Sequence, residues 1–336
     1  MSELLEVRGL TVRFQAPGDR PDQVVNQLDF TAPRGKIVGL VGESGSGKST
    51  AMWATLGLTK RYAKIVGGSV RLDGEELLGK SEKELGRIRG RDVALVTQTP
   101  RASLNPVVRV GDQVSAVYRN HTGASKAEAR ERVLELLSLV GINDPERRYA
   151  ALPSELSGGM AQRVVITLAL ACGPKVLLAD EPTSGLDVTV RAQILDDLTA
   201  SVRRAGSTLV LVSQDLGVVA NYCDEIYMMH AGQVVEHAEA STFFTDPEHP
   251  ATLALLAAEH RRVDDSSRLR GQSVDTQRLP SGCLLHERCP FADVDAGCAS
   301  SRPVLEAVGE GHEVRCHRAS VVAGAWAGRK KEAVDA

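Results

Sequence analysis

The amino-acid sequence predicts a three-layer α/β fold on three observations: short apolar runs bounded by glycine, helical apolar spacing between those runs, and alternation of the two along the chain. Residues 5–14 open the pattern, with Leu5, Val7, Leu10 and Val12 alternating with polar neighbours as in a half-exposed strand. Residues 36–41, 176–179 and 208–212 are apolar throughout or nearly so, which suits strands covered on both faces of a parallel sheet. Residues 126–140 carry Val133, Leu136, Leu137 and Val140 on one helical face, and 190–202 behave similarly.

The chain has 336 residues, more than one typical domain, so a large core with an appended piece is expected. Composition is that of an ordinary globular protein: 43% hydrophobic, 25% charged, net charge -3. No basic excess marks a nucleic-acid binder. The longest apolar run, residues 164–172, falls far short of the roughly 20 residues that span a bilayer. The opening Met1-Ser2-Glu3-Leu4-Leu5-Glu6 has no basic stretch followed by an apolar one, so a cytosolic chain without a secretory leader is expected. Composition shifts near residue 240, and 261–277 is polar enough for a linker or an exposed helix. No internal repeat is visible, and the tail after Trp326 is expected to fray.

Gly42-Glu43-Ser44-Gly45-Ser46-Gly47-Lys48-Ser49-Thr50 fits G-x-x-x-x-G-K-[ST] directly after a predicted strand. Glycines in that pattern let successive backbone N–H groups face an anion, and the following helix adds its positive end. Lys48 would neutralise outer phosphates, and the Ser49 hydroxyl would bind Mg2+. The strand at 176–179 ends in Asp180-Glu181-Pro182, and adjacent carboxylates at a strand end need a positive partner. Asp180 would hold Mg2+, and Glu181 would polarise a water as general base.

Leu156-Ser157-Gly158-Gly159-Met160-Ala161-Gln162-Arg163, lying between these two motifs, resembles the signature sequence of the ABC ATPases. The resemblance implies a P-loop NTPase core with an antiparallel β subdomain and a helical subdomain, plus a small Cys-rich C-terminal domain. In that family the signature reaches across a dimer, so Ser157, Gly158 and Gly159 would contact the ATP of the partner. Gly42, Ser44, Gly45, Gly47, Lys48, Ser49 and Thr50 would cradle this chain's own ATP. Gln98 resembles the glutamine that senses Mg2+ and couples to membrane subunits; Ser184-Gly185-Leu186-Asp187 resembles the loop at the dimer seam. Phe14 would stack on adenine or else simply end a strand in the core.

Gln98-Thr99-Pro100-Arg101-Ala102-Ser103-Leu104-Asn105-Pro106 and Asp246-Pro247-Glu248-His249-Pro250 are similar to the oligopeptide, dipeptide and nickel importer branch. That resemblance covers about residues 4–320. It implies residues 1–240 as the nucleotide-binding domain, with its helical part near 99–155, residues 241–325 as the C-terminal domain and 326–336 as a tail. It also implies a second ATPase chain, two transmembrane permease subunits, an extracytoplasmic solute-binding protein and a place on the cytoplasmic face of the membrane. ATP binding would close the ATPase pair and hydrolysis would reopen it.

One departure stands out. The family places a histidine after the strand at 208–212, and this chain has Gln214, which donates a hydrogen bond but carries no positive charge. A slow own site, paired with a competent unlike partner, is the expectation; a tolerated substitution is the alternative. Of six cysteines, Cys172 and Cys223 stand alone, while Cys283, Cys289, Cys298 and Cys316 crowd the end of the chain. In a reducing compartment such a group favours a metal over disulfides, and spacing alone puts zinc first. The importer resemblance instead implies a [4Fe-4S] cluster as a structural staple, with His286, His312 and His317 left on the surface. Competing readings are a non-hydrolysing regulatory or redox-sensing subunit and a soluble ABC ATPase outside transport.

Overall fold

The computed structural model describes residues 3–59, 61–259, 265 and 267–334, with side chains as far as residue 327. The chain divides into two units, residues 1–5, 31–37 and 71–212, and residues 6–30, 38–70 and 213–336.

In the first unit the strands Val93–Val96, Val176–Asp180 and Thr208–Val212 lie side by side in that order, all parallel, with Val93 opposite Val176 and Val176 opposite Thr208. Every residue of the last two strands is buried, which explains why their sequences run apolar without alternation. The expected helices appear as Lys126–Leu139 and Val188–Ala205. Ser125 starts the former with a capping box, its hydroxyl accepting from Glu128 N while Glu128 accepts from Ser125 N at 2.8 Å. Asp187 caps the latter by accepting from Val190 N at 3.0 Å. The helix Gly158–Leu170 is tied to both: the Arg163 guanidinium donates to the Val140 carbonyl oxygen and pairs with Asp197.

In the second unit the strand Ile37–Val41 runs parallel to Glu225–His230, with Val38 opposite Glu225. Gln233–Glu239, His312–Val314 and Glu306–Gly309 extend that edge by successive antiparallel pairings. Ala231 and Gly232 form the turn between Glu225–His230 and Gln233–Glu239, both at positive φ, 48° and 78°. Parts of Asp22–Pro33, Glu3–Phe14 and Ala63–Leu72 lie alongside one another in that order as a separate sheet.

The Asp246-Pro247-Glu248-His249-Pro250 segment leads into the helix Pro250–Glu259 because Glu236, fully buried, collects its donors. Glu236 accepts from Glu248 N at 2.7 Å, His249 N at 3.2 Å and His312 Nε2 at 2.8 Å. His312, expected on the surface, is therefore buried, because its partner carboxylate arrives from a strand 76 residues earlier. His317 is exposed and His286 half-buried, its Nδ1 donating to the Cys283 carbonyl oxygen at 2.8 Å.

The polar stretch 261–277 falls partly outside the described residues, and its described part from 267 on forms neither helix nor strand. The tail differs from expectation: Ala319–Val334 is helical, and Trp326 Nε1 donates to the Thr245 carbonyl oxygen at 2.6 Å. Among the described residues no helix is long and apolar enough to cross a membrane.

Candidate functional site

The loop after Ile37–Val41 is shaped by glycines at φ 150° (Gly42), 82° (Gly45) and 97° (Gly47). A Cβ on Gly42 would stand 2.2 Å from the Met229 carbonyl oxygen, and one on Gly47 would stand 2.6 Å from that of Val24. Those backbones are too close for any side chain. The floor of the loop is fixed by Gly232 N, which donates to the Ser46 carbonyl oxygen at 2.9 Å. The helix Lys48–Thr55 starts at Gly47 without a side-chain cap, and a helix start of this kind suits an anion.

Lys48 is buried, and its ammonium donates to the carbonyl oxygens of Gly42 at 2.8 Å and Glu43 at 2.9 Å and to Ser46 Oγ at 3.2 Å. The loop thus holds the cation in place with its own acceptors. Ser44, Gly45 and Ser49 are exposed at the mouth of the turn. Phe14, Thr50 and Trp53 line one small apolar hollow together with Val12 and Ala63, which places the aromatic nominated for adenine beside the phosphate helix.

In the first unit the acidic strand end has its own geometry. Asp180 is buried, and Glu181 turns at φ 45°, an unusual backbone for a residue with a side chain, held by Glu181 N donating to the Val212 carbonyl oxygen at 3.1 Å. Gln98, 83 positions earlier, donates through Nε2 to Glu181 Oε2 at 2.8 Å. The structure therefore joins the glutamine and the candidate base that the sequence nominated separately. Ser157 caps Gly158–Leu170 by accepting from Met160 N at 3.3 Å, and it and Gly158 are exposed. Arg101, just past Gln98, donates to the Leu156 carbonyl oxygen at 2.9 Å and so ties that segment to the serine–glycine helix end.

Gln214 is exposed between Ser213 and Asp215; Asp215 N donates to Ser213 Oγ at 3.0 Å, and Asp215 caps the helix Leu216–Tyr222.

Sequence reasoning missed one pair in the phosphate loop. Arg288 Nη1 donates to Glu43 Oε2 at 2.8 Å and Nη2 to Oε1 at 3.2 Å. Burial works to raise the Glu43 carboxyl, but the hydrogen bonds and charge of Arg288 overcome it and hold the group below the ordinary carboxylate range. No local pattern signals a pair 245 positions apart.

Residues 25–184 match the ABC transporter family, and residues 235–298 match the C-terminal region of oligopeptide/dipeptide transporters. The chain is 40% identical over 319 residues to the dipeptide transport ATP-binding protein DppD of Escherichia coli, covering 94% of this chain and 96% of that one. The chain belongs to this family of ABC transporter ATP-binding proteins. The oligopeptide transport ATP-binding protein OppD of Salmonella typhimurium is 41% identical over 318 residues, covering 94% and 93% of the two chains. An ATP-binding cassette solved as a dimer in a post-hydrolysis state with ADP and Pi superposes with a TM-score of 0.63 at 28% identity, over 70% of this chain and 98% of that one. This ABC protein is accordingly an ATPase with the P-loop α/β fold, and ATP with Mg2+ is its nucleotide substrate.

The expected [4Fe-4S] cluster is overturned. Cys283, Cys289, Cys298 and Cys316 do line one small pocket, yet among the described residues no group of three or more His, Cys, Asp or Glu side chains is arranged to hold a metal ion. The relatives' names, DppD and OppD among them, speak of peptide transport and ATP binding and of no cluster. Burial pushes the Cys289 and Cys316 thiols up to about 12 and raises those of Cys283 and Cys298. The same findings leave the zinc alternative without support. In this ABC protein Cys298 is buried, and Cys283, Cys289 and Cys316 are half-buried.

Proposed function

We propose that the chain hydrolyses ATP to power an importer of dipeptides, oligopeptides or related small solutes. The observation that carries this reading is the match of nearly the whole chain, C-terminal region included, to proteins named for dipeptide and oligopeptide transport. In this reading residues 1–240 are the nucleotide-binding part, with helices near 99–155, and residues 241–325 are the C-terminal domain. The chain works at the cytoplasmic face of the cell membrane, docked to two permease subunits that receive solute from an extracytoplasmic binding protein.

Lys48 neutralises the outer phosphates, and the N–H groups from Gly42 to Thr50 orient them. Ser49 and Asp180 are the residues that would hold Mg2+, which supplies charge neutralisation at the phosphate oxygens. Glu181 accepts a proton from the attacking water, and the Gln98 amide that bonds it at 2.8 Å fixes its carboxylate until the site is ready. Ser157, Gly158 and Gly159 serve the ATP of a second, unlike ATPase chain. Gln214 donates a hydrogen bond to phosphate without a charge, which supports a slow own site within an asymmetric pair.

The test is ATPase turnover and peptide uptake by the transporter assembled with its neighbouring ATPase and permease subunits, comparing Glu181→Gln here with the matching change in the partner. Loss of turnover only when the partner is changed supports the asymmetric motor. Equal loss from Glu181→Gln in this chain means that Gln214 is a working substitute, and absence of peptide-stimulated turnover in any combination sinks the importer reading.

A further inference from the structure

We infer that Arg288 is a positioning residue for the nucleotide site: its guanidinium pairs with the Glu43 carboxylate and keeps the phosphate loop receptive to a polyanion. The inference rests on the nucleotide-binding reading of that loop.

The loop collects positive charge, yet its second residue is an acid. Glu43 lies one position past Gly42, and Lys48 donates to the Glu43 carbonyl oxygen at 2.9 Å. Left alone, the Glu43 carboxylate would draw on the same ammonium that the phosphates need. The Arg288 fork prevents this with two donors, an arrangement that a carboxylate satisfies in only one plane. The Arg288 side chain is 14% exposed and that of Glu43 37%, so water screens the pair in part.

His230 is another basic side chain near Glu43, but burial drives it down to about 4, against the pull of Glu43, and it stays neutral at physiological pH. It cannot stand in for Arg288. Arg288 is in turn fixed by its own segment. Arg288 N donates to the Leu285 carbonyl oxygen at 2.9 Å, and Arg270 N donates to the Arg288 carbonyl oxygen at 2.8 Å, while Leu284 and Leu285 are buried. The C-terminal segment therefore supplies a charge that the phosphate loop lacks.

The experiment measures ATP affinity of the full-length chain by titration calorimetry for wild type, Arg288→Gln, Arg288→Lys, Glu43→Gln and the double variant Glu43→Gln/Arg288→Gln. Arg288→Gln is expected to weaken binding about tenfold, the order set by one uncompensated charge near a polyanion at an effective dielectric of a half-buried site. Arg288→Lys retains most of the affinity. Glu43→Gln binds at least as tightly as wild type, and the double variant returns to within about threefold of it, since the two residues act through one pair. A merely structural role for Arg288 would not be rescued by removing Glu43. Wild-type affinity in Arg288→Gln, or a double variant as weak as that single, overturns the inference. Should Arg288→Gln lose its melting transition, Glu43→Gln decides, because weaker binding there also overturns it. A wild-type chain that binds no ATP would instead remove the nucleotide reading itself.

Discussion

Two helices of this ABC protein begin with small residues and offer N–H groups at their ends, yet they are finished differently. Lys48–Thr55 starts at Gly47, at φ 97° with no side-chain cap, in a loop pressed against Met229, Val24 and Gly232 and holding a buried lysine. Gly158–Leu170 starts at Ser157, whose own hydroxyl accepts from Met160 N, with Ser157 and Gly158 exposed. The first end is shaped by backbone packing and has no side-chain cap. The second is stable as it stands and open at the surface. The first end is built by crowding and the second by exposure.

Replacing Lys48 with Ala should have the largest effect on that contrast. ATP turnover of the assembled transporter is expected to fall by about three orders of magnitude, since the cation facing the outer phosphates is gone; a variant that keeps its turnover would remove the lysine from the chemistry. Gly47→Ala comes next, because its Cβ would lie 2.6 Å from the Val24 carbonyl oxygen at φ 97°. A loss of about 3 kcal/mol in denaturant unfolding is expected, together with loss of ATP binding.

Acid should act on the crowded end as well. His230 is lowered to about 4 by burial, against 6.5 for a free histidine, so between those values the unfolded chain binds a proton that the folded chain does not. Stability then falls as pH drops through that window, and His249, lowered to about 3 by burial, adds in the same direction. His312 opposes them: despite its burial, Glu236 raises it, so its contribution is full in acid and fades as pH rises. The melting temperature should therefore drop between about pH 7 and about pH 4.5 and drop less in His230→Gln.

At the open end the effects are smaller. Ser157→Ala should cost about 1 kcal/mol of stability through the lost cap and leave ATP binding by the lone chain unchanged. Gly158→Ala, whose Cβ would meet only the Leu186 side chain at 3.6 Å, should change stability by about 0.5 kcal/mol or less, read as a melting shift. A large loss from either change would mean that the two ends are not built on different plans.

What could be read from the sequence follows the range of the interactions. The strands at 176–180 and 208–212, the phosphate loop and the helix behind Ser157 declare themselves within about ten residues, because glycine placement and apolar runs are local consequences of the backbone they form. The hairpin of Glu225–His230 and Gln233–Glu239 went unread, since its turn places Ala231 at positive φ where Asn or Gly would have announced it. His312 was misjudged for want of Glu236, and Arg288 passed unnoticed for want of Glu43, each partner lying far off in the chain. The cysteines show the converse error: the importer resemblance implied a cluster, and among the described residues no group is arranged to hold a metal ion.

The hydrogen bond from Gly232 to Ser46 has a consequence for the order of events during synthesis. The nine residues of the phosphate motif leave the ribosome early, but the backbone against which they are moulded is made much later. A nascent chain that ends short of Gly232 carries the whole motif and no floor beneath it. ATP is therefore expected to bind the growing chain only after Gly232 has been made, as a late check on assembly.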